Sequence, residues 1–339
     1  MKRRQLIAGA AAATVTAPYV VRAQGTPTMT LRMQGFLGAA SPTHRAFEKF
    51  AGDIKTATNG RVVINVLPAG GAVAPPESLN AVANGILDGQ YCAPSFFAGR
   101  DPAFTLLGDT GAAYNDTDTR DAWFQASGGV AIAREVYDKY GLYYVDQIYW
   151  PSEHIPAKKA LNGVADLKGL KIRVPPGMIA EVLGRCGASV VNLPGAEVFN
   201  ALQSGVIDAT DWASPGQNLE VGLYRAAKFS VNAAHSMPTT EMSFSKKRWE
   251  AMGKEVQDIF RAEIKKMSAA LKTQIKSDDT AALDKMKADG VTVVTWTKDE
   301  VAKLREVTKR VQQELGARNA TARKVYDSMR DHQLKVGLG

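Results

Sequence analysis

The 339-residue sequence has none of the short motifs that mark the common enzyme classes. HExxH, GxSxG, the Walker loop and GxGxxG are all absent, so no nucleotide cofactor is expected. Histidine occurs only four times. No long run of Lys and Arg with interleaved aromatic residues is present, which argues against nucleic acid as a partner. These absences leave little support for a catalytic site.

Cysteine and long apolar runs are also scarce. The two cysteines, Cys92 and Cys186, lie far apart and outside any CxxC or metal-binding spacing, so we expect two free thiols. After the first two dozen residues, no apolar run approaches the roughly 20 residues that a membrane-spanning helix needs. The sequence therefore predicts a soluble mature protein.

The first residues have the order of an export signal. Lys2, Arg3 and Arg4 precede an alanine-rich apolar stretch, and "VRA" ends at Ala23. This order predicts a signal peptide over residues 1–23, of the twin-arginine or the general type, and hence a periplasmic protein. Its removal takes away four basic residues and no acidic ones, so the formal charge falls from +8 to +4.

The remainder alternates between strand-like and helix-like segments. "TMTLRMQGFL", "RVVINVLP" and "QYCAPSFF" predict strands, with helices between them, and a second α/β unit of similar size follows from "GLYYVDQIYW" to "VIDATDW". Such alternation is typical of a mainly parallel sheet flanked by helices. Two such lobes predict a ligand site in the cleft between them, outside the carboxyl ends of the strands.

One arginine is a candidate for anion recognition. Arg173 lies in the apolar strand-like segment "LKGLKIRVPPGM". A guanidinium group at the end of a strand can bind a carboxylate through two parallel hydrogen bonds. The alternative is a surface arginine in a salt bridge, and the local pattern alone favours that alternative.

An acid beside a tryptophan is the second candidate. Asp211 and Trp212 follow a strand-like run in "GVIDATDWASPGQN", and Glu241 lies in "TTEMSF". If the fold brings the two acids together, they would form a hard oxygen site for Ca²⁺ or Na⁺. Two alternatives stay open: Trp212 in the core with Asp211 exposed or capping, and a periplasmic enzyme with Asp211 and Glu241 as acid and base.

The order of segments resembles a known family. The stretch "DLKGLKIRVPPGMIAEVLGRCGASVVNLPGAEVFNALQSGVIDATDWASPGQN" and the later "SKKRWEAM" are similar to solute-binding proteins of the TRAP transporters, the dicarboxylate-type periplasmic receptors. The resemblance implies two α/β lobes, a long helix spanning both, and no enzyme activity. It implies a receptor that binds an organic acid and delivers it to a membrane permease, or a ligand-sensing subunit of a signalling system.

The resemblance also implies a division of the chain. We expect the signal at residues 1–23, a first lobe from 24–146 plus 236–275, and a second lobe at 147–235. Residues 276–339 would form a C-terminal helical region that packs on the lobes. In some members a C-terminal helix also pairs two copies, so a homodimer is a further expectation.

Within the family, an acid before an aromatic residue resembles the branch that binds 2-oxo and 2-hydroxy monocarboxylates through a metal ion. The resemblance implies that Arg173 binds the ligand carboxylate. It implies that Asp211, the carbonyl of Trp212 and Glu241 hold Ca²⁺ or Na⁺.

One segment departs from that branch. A Gln or Asn is usual about twenty residues before the arginine, but here the segment is "YWPSEHI", which offers Ser152 or Glu153. Either the metal site is altered, or the pocket binds a different acid without a metal. Five aromatic residues would line a pocket for a bulkier or aromatic acid, or pack in the core instead: Phe96, Phe97, Tyr149, Trp150 and Trp212.

Overall fold

The computed structural model describes residues 29–338; the predicted signal, residues 1–23, lies outside the described residues. The strands are β1 (Met29–Gly35), β2 (Val62–Leu67), β3 (Gly89–Cys92), β4 (Leu142–Ile148), β5 (Ile155–Ala157), β6 (Lys171–Arg173), β7 (Ser189–Val191), β8 (Ala209–Thr210), β9 (Phe229–Asn232), β10 (Thr240–Ser245) and β11 (Thr292–Thr295). The helices are α1 (Pro42–Ala57), α2 (Ser78–Ala83), α3 (Pro102–Gly108), α4 (Thr117–Ala126), α5 (Gly129–Asp138), α6 (Met178–Arg185), α7 (Val198–Ser204), α8 (Pro215–Glu220), α9 (Lys246–Ala251), α10 (Gly253–Ala288), α11 (Lys298–Ala317) and α12 (Ala320–Lys335).

The described strands form two separate sheets, which confirms the two-lobed α/β fold. The first has the order β2-β1-β3-β10-β4 and the second β11-β9-β5-β8-β6-β7. In each sheet one strand runs against the rest: β10 is antiparallel to β3 and β4, and β5 is antiparallel to β8 and β9. Each reversed strand follows an extended crossing between the lobes, β5 after β4 and β10 after β9. Each sheet is therefore mixed, with all other described strands pointing the same way.

Local sequence signals account for the first helix. The Ser41 hydroxyl accepts a hydrogen bond from the backbone N–H of His44 at 3.1 Å, and Pro42 occupies the first helical position. Both features satisfy the free N–H groups of a helix start, as the sequence predicts. The helix then buries Phe47 and Phe50 against the first sheet.

The long helix α10 connects the two lobes. Its buried apolar side chains recur at intervals of three, four or seven residues, as a single apolar face requires. They are Val256, Phe260, Ile264, Met267, Leu271, Ile275, Ala282 and Met286. The helix packs on α1 and β4 of the first lobe and on α8 and β11 of the second, which confirms the predicted spanning helix.

The C-terminal region contributes to both lobes. β11 adds a strand to the second sheet, beside β9, while α12 packs on α11, α3 and α5. The apolar face of α12 is therefore used within its own chain, and the homodimer stays a prediction. Cys92 is buried and Cys186 half-buried, and both are free thiols. Within residues 29–338, no helix combines the length and apolarity needed to cross a membrane.

Glu241 lies in the core of the first lobe. On β10 it stands opposite Cys92 of β3 and Gln147 of β4. Its Oε1 atom accepts hydrogen bonds from Gln90 Nε2 at 2.8 Å and Ser243 Oγ at 3.3 Å. Burial raises the pKa of Glu241 to about 8, so the carboxyl group is held largely protonated at neutral pH.

The raised pKa of Glu241 makes stability depend on pH. The folded chain keeps a proton that the unfolded chain releases near pH 4.5. The stability from this group is complete below that pH and declines until about pH 8. We expect Glu241→Gln to reduce the loss of unfolding free energy between pH 5 and 8, by up to about 1.4 kcal/mol per pH unit. Urea unfolding of both proteins across this range measures the difference; parallel pH curves would contradict it.

Candidate functional site

The two lobes present the ends of their parallel strands to the junction between them. Arg173 is the last residue of β6, and Asp211 and Trp212 directly follow β8. These strands are parallel, with Arg173 opposite Thr210, so the three side chains start from one edge of the second sheet. Ligands of open α/β sheets bind outside this edge.

The guanidinium group of Arg173 is fixed by backbone carbonyls. Nη1 donates to the carbonyl oxygen of Asp211 at 3.0 Å, and Nε donates to that of Leu193 at 3.3 Å. A guanidinium has five N–H groups, so these two contacts orient the fork while N–H groups remain for an anion. The half-buried Arg173 is thus oriented by the backbone while part of its guanidinium group remains without a carbonyl partner.

The indole of Trp212 lies against this guanidinium. The Arg173 Cζ atom is 5.3 Å from the centre of the Trp212 ring, within the range of a cation–π contact. Gly195 lies in the turn before α7, and a Cβ atom added to it would come within 2.9 Å of the Trp212 indole. Only glycine therefore leaves room for the ring in this position. The ring and the guanidinium form one wall of the site.

Asp211 is paired with a histidine that the sequence analysis missed. The Oδ1 atom of Asp211 lies 2.8 Å from Nε2 of His235, and both side chains are fully buried. Burial alone raises the pKa of Asp211, but the hydrogen bond and charge of His235 and the charge of Arg173 outweigh it. The pKa of Asp211 is consequently below its ordinary value, so the carboxylate is ionised.

A strained backbone position precedes His235. Ala234 has a φ angle of 47°, in the left-handed region that residues with a Cβ atom rarely adopt. Its backbone N–H faces the side-chain oxygen of Asn232 at 3.4 Å. This turn lies on the segment that leads from β9 back to β10 in the first lobe. Such strain persists where the surroundings fix the conformation, here around the buried pair of His235 and Asp211.

Glu153 is a second buried acid at the same place. Its Oε1 atom accepts from Trp150 Nε1 at 3.3 Å, and Oε2 lies 3.0 Å from Ser236 Oγ. Burial, followed by the negative charge of Asp211, raises the pKa of Glu153 well above its ordinary value. The Ser236 hydroxyl also lies 2.7 Å from Asp109 Oδ2. Because a hydroxyl has one proton, it can donate to only one of these two acids at a time.

Asp109 adds a third buried carboxyl group, from the first lobe. Its Oδ1 atom accepts from the backbone N–H groups of Gly111 at 2.7 Å and Met237 at 3.0 Å. Burial nevertheless raises the pKa of Asp109 to about 6. The three acids Asp109, Glu153 and Asp211 thus meet where the lobes join.

A buried arginine holds together the two segments that cross between the lobes. Arg120 Nη2 donates to the carbonyl oxygen of Trp150 at 3.0 Å, and Nη1 donates to that of Pro238 at 2.5 Å. Trp150 lies on the crossing from β4 to β5 and Pro238 on the crossing from β9 to β10. Arg120, from the first lobe, therefore fixes the segment that carries Glu153 and the segment that follows His235.

The structure brings most, but not all, of the predicted site residues together. Those that it places at the junction are Arg173, Trp212, Asp211, Glu153 and Trp150. Ser152 is next to them, but its hydroxyl donates to the Ser236 carbonyl at 3.2 Å. Sequence reasoning missed His235, Ser236 and Asp109. His235 and Ser236 lie on the crossing from β9 to β10, and Asp109, which follows α3, forms an isolated bridge with Pro238 of that crossing.

Two expectations need correction. Glu241 does not join Asp211, because its carboxyl group is bound to Gln90 and Ser243 inside the first sheet. Phe97 is a core residue: it is 1% exposed and stacks edge-on against Phe104 at a centroid distance of 5.4 Å.

The acids at the junction have donors suited to a hard cation, although not a complete set. Asp211 and Glu153 are buried side by side, and two like charges in contact need a proton or a cation between them. Carboxylate oxygens are the ligands that Ca²⁺ and Na⁺ prefer. In the part of the chain from 29 to 338, no group of three or more His, Cys, Asp or Glu side chains could hold a metal by itself. A cation here would need carbonyl or ligand oxygens as well.

A comparison with known protein families decides the class of protein. The profile of "Bacterial extracellular solute-binding protein, family 7" (DctP) matches residues 33–319. The chain belongs to this family. The DctP match confirms the expected receptor class, and it agrees with an expected location outside the cytoplasm. The relatives described below are binding proteins.

Individual relatives cover almost the whole chain. A "Monocarboxylate 2-oxoacid-binding periplasmic protein" of Nostoc sp. is 27% identical over 99% of this chain and 95% of its own. A TRAP periplasmic solute-binding protein of Rhodobacter sphaeroides, in an apo open crystal structure, is 32% identical, with a TM-score of 0.79 and coverage of 91% and 99%. One of Colwellia psychrerythraea, with bound calcium and pyruvate, has a TM-score of 0.81 at 22% identity, covering 91% and 95%, and supports the fold alone.

The pair of His235 and Asp211 makes a prediction for this DctP-family chain. His235→Ala leaves a buried carboxylate without its partner, which we expect to lower the free energy of unfolding by about 3 kcal/mol. Adding Asp211→Asn removes the unpaired charge and should recover at least about 1 kcal/mol. Chemical denaturation of the wild type, both single variants and the double variant gives the coupling energy. Strictly additive losses would show that the two groups do not depend on each other.

Proposed function

We propose that this protein is the periplasmic receptor of a TRAP transporter for a small 2-oxo or 2-hydroxy carboxylic acid. The observation that carries the proposal is the Arg173 guanidinium, oriented by the Asp211 and Leu193 carbonyls and backed by Trp212. The N–H groups of a guanidinium held in this way match the two oxygens of a carboxylate. The Nostoc relative, which binds 2-oxoacids, agrees with this substrate class.

The neighbouring acids account for recognition beyond the carboxylate. A 2-oxo or 2-hydroxy acid has a second oxygen next to its carboxylate. We propose that a hard cation such as Ca²⁺ or Na⁺, held by Asp211, Glu153 and the Trp212 carbonyl, accompanies the ligand. The cation would coordinate both ligand oxygens and neutralise part of the negative charge of the acids. His235 then orients the Asp211 carboxylate, as an outer hydrogen bond commonly does for a metal-binding carboxylate.

The cellular context belongs to the same proposal. The chain is exported by its predicted signal, of the twin-arginine or the general type, and acts in the periplasm. There it binds the acid between its lobes, without chemical change, and delivers it to the membrane permease. The contact with His235 fixes the Asp211 carboxylate in one orientation, as a binding site requires.

Arg173 provides the first test of the ligand site. Pyruvate at a hundredfold excess over its dissociation constant should stabilise the wild type by about 2.7 kcal/mol. Arg173→Ala should lose this stabilisation because the ligand carboxylate loses its charged partner. Arg185→Ala is the matched control: Arg185 is an exposed arginine of the second lobe, bound to Glu314. Thermal unfolding with and without ligand gives the comparison.

Two results would contradict this proposal. An unchanged pyruvate affinity in Arg173→Ala would remove Arg173 from the site. Turnover of the bound acid, detected by recovering it from the protein in altered chemical form, would favour an enzyme instead.

The cation provides the second test. We expect pyruvate affinity, measured by calorimetry, to fall at least tenfold when EDTA is present and tetramethylammonium replaces Na⁺. Returning Ca²⁺ should restore it in the wild type but not in Asp211→Asn, which lacks the charged oxygen ligand. Asp138→Asn, an exposed acid bound to Lys246, is the control and should behave as the wild type. Equal affinity in all buffers would show that the site works without a cation.

A further inference from the structure

Three aromatic rings form a cluster at the edge of the first sheet. Phe36 follows β1, Phe96 lies on the turn after β3, and Trp150 follows β4. Because these three strands run in the same direction, their carboxyl ends lie along one edge. The Phe36 ring is 5.4 Å from the Trp150 ring and 6.2 Å from the Phe96 ring, centroid to centroid. We refer to Phe36, Phe96 and Trp150 as the aromatic wall.

One ring of this wall is exposed. Phe96 is 38% accessible, while the next residue, Phe97, is packed in the core. Among the exposed large apolar side chains of residues 29–338, Phe96 is the one aromatic ring. An exposed apolar surface beside a site of binding polar groups is typical of a ligand pocket.

The wall is joined directly to the proposed ligand site. Trp150 donates its indole N–H to Glu153, and Glu153 lies against Asp211. Arg173 and Trp212 stand on the other lobe, beyond these acids. Among the polar groups, Glu153 is thus in contact with one ring of the wall, Trp150, and Arg173 with the indole of Trp212.

We propose that the ligand is an acid with a flat aromatic body, such as an aryl 2-oxo acid. Its carboxylate binds Arg173, and its ring lies between Trp212 and the aromatic wall. This inference rests on the proposed function and names the substrate class of the same site. Aromatic rings favour edge-on and offset contacts with other rings at the distances seen within the wall. A small aliphatic acid fills only the polar part of the site and leaves Phe96 exposed.

Three 2-oxo acids with the same head group separate the contribution of that group to affinity from those of an aliphatic body and of an aromatic ring. They are pyruvate, 4-methyl-2-oxopentanoate, which adds an aliphatic body, and phenylpyruvate, which adds a ring. We expect calorimetry with the full-length mature protein to show phenylpyruvate binding at least tenfold more tightly than either other acid. Equal or weaker binding of phenylpyruvate, with pyruvate still bound, overturns the aromatic inference and leaves the proposed function standing. If none of the three acids binds, both are overturned.

Variants at Phe96 test the wall itself. Phe96→Leu should reduce the preference for phenylpyruvate over pyruvate at least fivefold, and Phe96→Tyr, which keeps a ring, should preserve it. Ile86→Ala is the matched control, because Ile86 is an exposed apolar residue of the first lobe, 51% accessible, before the opposite end of β3. An unchanged preference in Phe96→Leu would exclude the wall from the site. Melting temperatures without ligand verify that each variant is folded.

Discussion

The buried contact between His235 and Asp211 is the interaction on which the proposed ligand site depends. It holds an ionised carboxylate in the protein interior, where an isolated charge would be strongly destabilising. It also connects parts of the chain with different roles, because Asp211 ends a strand of the second sheet and His235 lies on the segment returning to the first. The position of Asp211 fixes its own carbonyl, and that carbonyl orients Arg173.

Around this contact, acidic residues are concentrated at the place where we propose that an anion binds. Asp109, Glu153 and Asp211 would repel a carboxylate if all three were ionised and unpaired. The structure limits this repulsion through the His235 pair, through the hydroxyl that lies between Asp109 and Glu153, and through burial, which favours the neutral form of Glu153. What remains is one oriented positive group, Arg173, beside acids that hydrogen bonds hold in place.

The sequence predicts the fold well because both lobes follow from regular periodicity. Alternating strand and helix segments, the cap at Ser41 and the apolar face of α10 all have local causes. The site is only partly predictable. Arg173 ends a strand and Asp211 follows one, and the resemblance to a family assigns them. His235 reaches the site along a crossing segment and Asp109 through its bridge to Pro238, and periodicity describes neither contact.

Two errors arise from the surroundings of a residue, which its type does not reveal. Phe96 and Phe97 are adjacent in a short turn, and only the direction of that turn decides that the first is exposed and the second buried. Glu241 stands on a central strand that is buried on both faces, and the register against β3 and β4 places its carboxyl group beside Gln90 in the core. The turn decides the environment of Phe97 and the central position of the strand decides that of Glu241, and composition describes neither.

The position of β10 in the first sheet also determines how the protein can be assembled. This strand lies between β3 and β4, although nearly the whole second lobe is encoded between β4 and β10. Until the chain has been synthesised as far as residue 245, β4 has no neighbouring strand that joins it to the sheet of β1, β2 and β3. The second lobe is thus an insertion that is synthesised before its host is complete. Consequently, a cut at the first crossing separates the chain without yielding a self-sufficient N-terminal domain.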